Sequence, residues 1–210
     1  MNVQRLLQTA DRISTYAGKA ASWLIVLLML VVCVEVFKRY ILNAPTAFIY
    51  DINNMMYGTL FMMCGAYTLA QNGHVRGDFL YGSMKPRLQA TLDLSLYILF
   101  FLPGVIAFCW AGYIYAGESW AIREGSNITA DGPPYYPFKT IIPIAGAFIL
   151  VQGIVEIIRC VICLRQGHWP SRVEDVQEVD VDKLKAMVHV KDADIAKLDK
   201  FVVAQEKAQR

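Results

Sequence analysis

Charge is scarce over most of this sequence. Asp, Glu, Lys and Arg make up 18% of its 210 residues, against about a quarter in ordinary soluble domains, and the charge concentrates from Arg165 onward. Histidine is scarcer still. His74, His168 and His189 all lie outside the apolar stretches, which excludes a haem held between facing helices. The five cysteines, Cys33, Cys64, Cys109, Cys160 and Cys163, all fall within apolar stretches. They read as small apolar side chains, not as a disulfide framework. Cys160 and Cys163 form a CxxC, but no further Cys or His set lies close in sequence, so no metal or redox centre is read there. Phosphate loop, zinc signature and serine hydrolase elbow are absent. The basic residues are dispersed, which leaves nucleic-acid binding without support. Low-complexity blocks and internal repeats are also missing. The sequence therefore offers no catalytic residue, no cofactor-binding residue and no metal ligand, and it does not read as an enzyme.

What it has in quantity is apolar length. Hydrophobic residues make up 56% of the chain. A bilayer core about 30 Å thick takes roughly 20 apolar residues per helical crossing. Four stretches reach that length: Ala20 to Phe37, Phe48 to Ala70, Leu92 to Ala116 and Ile141 to Leu164. Helices are expected, because lipid cannot satisfy open backbone groups and the alternating pattern of a membrane barrel is missing. The fold class expected is all-α integral membrane, with spans at about 20–42, 48–71, 90–116 and 140–165. The first stretch begins too far into the chain and runs too long for a cleaved signal, and no small-x-small cleavage site follows it.

Residues 1–19 form an N-terminal arm. Val3, Leu6, Leu7, Ala10, Ile13, Tyr16 and Ala17 recur every three to four residues, with Gln4, Arg5, Gln8, Asp11 and Arg12 between them. This spacing predicts an amphipathic helix lying on the inner leaflet. Residues 166–210 form a polar cytoplasmic tail, in which Ile195, Leu198, Phe201 and Val202 predict a short helix. An even number of spans puts both termini on one side. Arg5, Arg12, Lys19, Arg76, Lys85, Arg87, Arg165 and Arg172 outnumber Lys38, Arg39, Arg123 and Lys139 on the other, which places both termini in the cytoplasm.

Ionisable residues near the spans are few. Glu35, Asp51, Asp93 and Glu118 sit near helix ends, where hydration is available. Glu35 and Arg39 are four apart, and Glu156 and Arg159 three apart, so each pair can share a helix face and neutralise itself near the interface. Span centres read as almost purely apolar. Gly58 and Gly65, seven apart, mark a face of the second span suited to close packing. The link Glu118 to Lys139, rich in Gly, Pro, Trp and Tyr, is expected to lie across the outer membrane surface.

One set of motifs goes beyond hydropathy. Glu35-Val36-Phe37-Lys38-Arg39-Tyr40 is followed by Pro45, Phe48 and Asp51. The second span ends Gly65-Ala66-Tyr67-Thr68-Leu69-Ala70 and is followed by Gly73-His74-Val75-Arg76-Gly77-Asp78. Over roughly residues 10 to 165 this resembles the small membrane subunit, of DctQ type, of the tripartite ATP-independent periplasmic (TRAP) transporters. Phe48 and Asp51 stand where that family usually has Trp and Glu, and the tail is longer than expected. The resemblance implies a small permease subunit in sodium-coupled uptake of small organic anions, carboxylates in particular. It implies two protein partners, a large multi-span membrane subunit and a periplasmic substrate-binding protein, in the bacterial inner membrane. Glu35, Arg39, Tyr40, Asp51, His74, Arg76 and Asp78 become the candidates for subunit contact or for anchoring to membrane lipid. The competing reading is a self-sufficient small multidrug-type exporter working as a homo-oligomer, with Glu35 as its transport residue.

Overall fold

The computed structural model describes residues 3–73, 81–82, 84–129, 132–170 and 172. All of them lie in one compact unit, Met1–Asp175. The helix expected in the tail lies outside the described residues, as do His74, Arg76 and Asp78.

Every regular element described is helical. Helix α1 runs unbroken from Val3 to Tyr40, about 57 Å at 1.5 Å per residue. Helix α2 covers Ile49–Ala70. Helix α3 covers Pro86–Leu96 and passes through a π-helical turn, Tyr97–Phe101, into α4, Leu102–Ala121. A single turn, α5 (Tyr136–Lys139), leads into α6, Ile141–Gln166. The π turn has a local cause. Pro103 brings no N–H to the helix, and its ring crowds the carbonyl four residues back, at Leu99. Widening the turn just before the proline relieves that clash without ending the helix. Helix α6 ends where Gly167 adopts φ 81° and donates its N–H to the Cys163 carbonyl at 2.7 Å, the left-handed cap that glycine favours.

Three of these runs are long and apolar enough to cross a membrane: Val3–Tyr40, Pro86–Ala121 and Tyr136–Gln166. Helix α2 is shorter and diluted by Asp51, Asn53 and Asn54. The helices carry the surface that such a setting requires. From Ser22 to Val34 no residue of α1 is buried, and Trp23, Phe61, Phe100 and Trp110 are each about 70% exposed. Soluble monomers rarely show contiguous apolar patches larger than a few hundred Å².

The interior is built on close approach. Helix α1 packs along α2, and α6 lies against α2, α3 and α4. Glycines set these spacings. A Cβ at Gly18 of α1 would fall 2.4 Å from Cβ of Tyr67 on α2, and one at Gly153 of α6 would fall 2.1 Å from the Phe101 ring. Gly58 and Gly65 do face neighbours, Phe138 and Ile149 respectively.

The arm differs from the separate amphipathic element expected. It is the first half of α1, and it turns Leu7, Asp11, Ser14, Gly18 and Ala21 inward. Those positions repeat at four, three, four and three residues, the spacing of a helix–helix seam. Leu6, Ile13 and Tyr16, on the expected apolar stripe, remain exposed. The seam prevails because Asp11 and Ser14 meet polar partners on α6 that make their burial tolerable.

Candidate functional site

Polar side chains collect in two layers. The first lies near both ends of the described chain and joins α1, α2 and α6. Asp11, Gln152, Glu156 and Arg159 are each at most 2% exposed. Arg159 donates one guanidinium nitrogen to Asp11 Oδ2 and another to Glu156 Oε1, the latter at 2.6 Å. Gln152 Nε2 donates to Asp11 Oδ1 at 2.8 Å, and Ser14 Oγ donates to Gln152 Oε1 at 3.1 Å. These bonds pair rising positions on α1 with falling ones on α6, so the two helices run antiparallel.

The segment after α6 closes this layer. Trp169 Nε1 donates to Gln89 Oε1 of α3 at 3.1 Å. Arg172 grips Glu156 with both outer nitrogens, at 2.9 and 2.7 Å. The same guanidinium lies 3.5 Å from the carbonyls of Leu69 and Ala70, at the negative end of the α2 dipole. Two carboxylates and two guanidiniums therefore balance inside the layer. That balance is what allows buried charge at all, since an unpaired one is costly.

The second layer lies at the opposite helix ends. Glu35 is 7% exposed; it accepts the Thr46 N–H at 3.0 Å and Arg39 Nη2 at 3.2 Å. Lys38 donates to Thr46 Oγ1 at 2.6 Å. Glu35 thus ties the end of α1 to the turn before α2. Asp51 is fully buried and has a different environment. Its oxygens accept Ser126 Oγ at 2.7 Å and the Tyr135 hydroxyl at 3.0 Å, both from the segment that joins α4 to α5. Thr129 reaches the Ala47 carbonyl at 3.4 Å. That segment is therefore folded over the start of α2. Burial, together with the hydrogen bond to the Asp51 carboxylate, raises the Tyr135 hydroxyl above its usual pKa.

A third group braces the same layer. Lys139 donates to Glu124 and stands 3.9 Å from the centre of the Tyr115 ring. Its bond holds the Glu124 carboxyl below the ordinary glutamate value. Trp120 Nε1 donates to Thr140 Oγ1 at 2.8 Å, and its ring meets Tyr136 edge-on at 4.5 Å.

The sequence-expected residues divide as follows. Glu35 and Arg39 form their pair. Tyr40, 75% exposed at the end of α1, points outward. Asp51 meets two neutral donors, Ser126 and Tyr135. Glu156 and Arg159 are paired, and the pair is the middle of a larger network. The expectation of nearly apolar span centres fails at Gln152, close to the middle of α6 and 0% exposed. It is tolerated because Asp11 and Ser14 supply an acceptor and a donor. Asp11 and Arg172 were not singled out from the sequence. A signal was there: Gln152, Glu156, Arg159 and Cys163 recur at four, three and four residues on one face of α6.

Between the layers, four stretches contain no Asp, Glu, Lys, Arg or His: residues 20–34, 52–70, 94–117 and 140–155. Among the described residues, no group of three His, Cys, Asp or Glu stands close enough to hold a metal. At 1.5 Å per residue the layers are about 26 Å apart from Lys139, at the end of α5, to Glu156 on α6, and about 29 Å along α2, from Asp51 to Ala70. That separation approximates the hydrocarbon thickness of a bilayer.

Comparison with known protein families gives a match over residues 28–163, from the second half of α1 to the end of α6, to the family described as tripartite ATP-independent periplasmic transporters, DctQ component. No curated protein matches the chain.

Proposed function

The chain belongs to the DctQ component family of tripartite ATP-independent periplasmic transporters, and on that premise we propose that it is the small permease subunit that scaffolds a large multi-span partner during sodium-coupled import of small organic anions, carboxylates above all. The observation that carries this reading is the ionisable-free middle of the bundle between two polar layers whose charged groups are paired or hydrogen-bonded within the chain. Charged groups deep in a membrane are the usual mark of an ion or substrate pathway. Here such groups fasten helices to one another at either end. The division of labour that follows gives solute and sodium sites to the large subunit, and solute capture to a periplasmic binding protein.

On the same reading α2 is a fourth span. Its 22 residues cover about 33 Å, and Asp51 and Ala70 place its ends in the two polar layers. The layer at Asp11 and Arg172 then faces the cytoplasm, with both termini, across the bacterial inner membrane. The layer at Glu35, Asp51 and Lys139 faces outward, and the segment folded over α2 offers the surface nearest the binding protein. Arg39, half exposed beside Glu35, is suited to headgroups or to the large subunit. His74, Arg76 and Asp78 are proposed as a cytoplasmic contact.

The test is a mild-detergent pull-down of the full chain, tagged at its C-terminus, from native membranes. Recovery of a large multi-span protein in about equal amount is expected. Recovery of the chain alone as a homo-oligomer would overturn the scaffold reading and return Glu35 to consideration as a transport residue in an exporter.

A further inference from the structure

An apolar groove of about 670 Å³ runs between the first half of α1 and α6. Leu6, Ala10 and Ile13 form one wall, Phe148, Val151 and Ile158 the other, and Arg5 lies at the end nearest the chain's N-terminus. On α6 the groove extends from Ile158 to Ala147, about 17 Å at 1.5 Å per residue. That is close to one leaflet, half of a hydrocarbon core about 30 Å thick. Ile158 adjoins Arg159 in the polar layer. Arg5 is six residues before Asp11 of the same layer, which carries it about 9 Å further along α1, to the depth of lipid phosphates.

From these dimensions we propose that the groove binds a single phospholipid, with an acyl chain along α6 and its phosphate on Arg5. An acyl chain extended over about 17 Å matches the length of the groove and stays within one leaflet. The walls suit the same occupant. They are apolar along the leaflet-deep part, and the guanidinium is at the headgroup end, where it can pair with a phosphate in bidentate fashion. Bound there, the lipid fills the open side of the α1–α6 seam opposite the Asp11–Arg159 pair.

The test places a photo-crosslinking benzoylphenylalanine at Val151 in the full chain, irradiates native membranes, and measures the intact mass of the denatured chain. A control carries the same group at Trp110, an exposed position on α4. A phospholipid adduct is expected at Val151 in several-fold excess over Trp110. It should fall about fivefold in Arg5→Gln, the factor a single basic residue near a lipid surface supplies, and persist in Arg5→Lys. Equal adducts at the two positions, or an adduct at Val151 indifferent to Arg5, would mean unselected bulk lipid and overturn the proposal. A crosslink from Val151 to the large membrane subunit would overturn it in favour of a protein occupant.

Discussion

Replacing Arg159 with methionine tests whether the layer at Asp11 is held together by charge balance. In the native layer Asp11 and Glu156 are offset by Arg159 and Arg172, and every one of these groups is nearly or fully buried. Methionine is apolar and fills much of the volume of the arginine stem. In Arg159→Met, Glu156 keeps both bonds from Arg172, but Asp11 retains only the Gln152 amide. Breaking a buried pair by removing one partner costs about 3–5 kcal/mol, and the surviving bonds put the expected loss near the lower figure. Adding Asp11→Asn removes the stranded charge while keeping an acceptor for Gln152. The double variant should therefore recover about 2 kcal/mol, a coupling of the size expected for residues in one network. The assay is SDS-driven unfolding of the purified full chain in mixed micelles, followed by tryptophan fluorescence. A single variant within about 1 kcal/mol of the native protein would be the signature of a solvated pair and would refute the reasoning. So would a double variant no more stable than the single one.

Three further outcomes are expected. Asp51→Asn keeps one acceptor oxygen where Ser126 and Tyr135 now use two; hydrogen exchange should accelerate in residues 122–129 by the equivalent of about 1–3 kcal/mol, with α1 and α6 unchanged. Glu124 has a folded-state pKa below its ordinary value, so the stability it contributes is present above the ordinary glutamate range and lost as pH falls through the depressed value. Acid should accordingly increase protease cleavage between α4 and α5, and Glu124→Gln should flatten that pH dependence. Gly18→Ala, whose Cβ would collide with Tyr67, should cost about 1–3 kcal/mol in detergent melting, whereas Gly104→Ala on α4, with open space around it, should be neutral or stabilise by up to about 1 kcal/mol.

The sequence by itself determined the helical class and the apolar runs. Long stretches without charge leave the chain few ways to satisfy its backbone in lipid, so Ala20 to Phe37 or Ile141 to Leu164 reads as helix without reference to any other part of the chain. Spacing of three or four residues also made the Glu35–Arg39 and Glu156–Arg159 pairs legible, since neighbours on a helix surface are fixed by its 3.6-residue turn. Tertiary structure alone decided which side of the arm is buried. Asp11 looks solvated in its own helix, and only the antiparallel approach of α6 supplies Arg159 and Gln152. Asp51 is the same case at the other end: its donors, Ser126 and Tyr135, are 75 and 84 residues away, and no local pattern foretells them. Periodicity reports the face a residue occupies, whereas the partner that makes a buried charge tolerable comes from whichever helix the fold sets against that face.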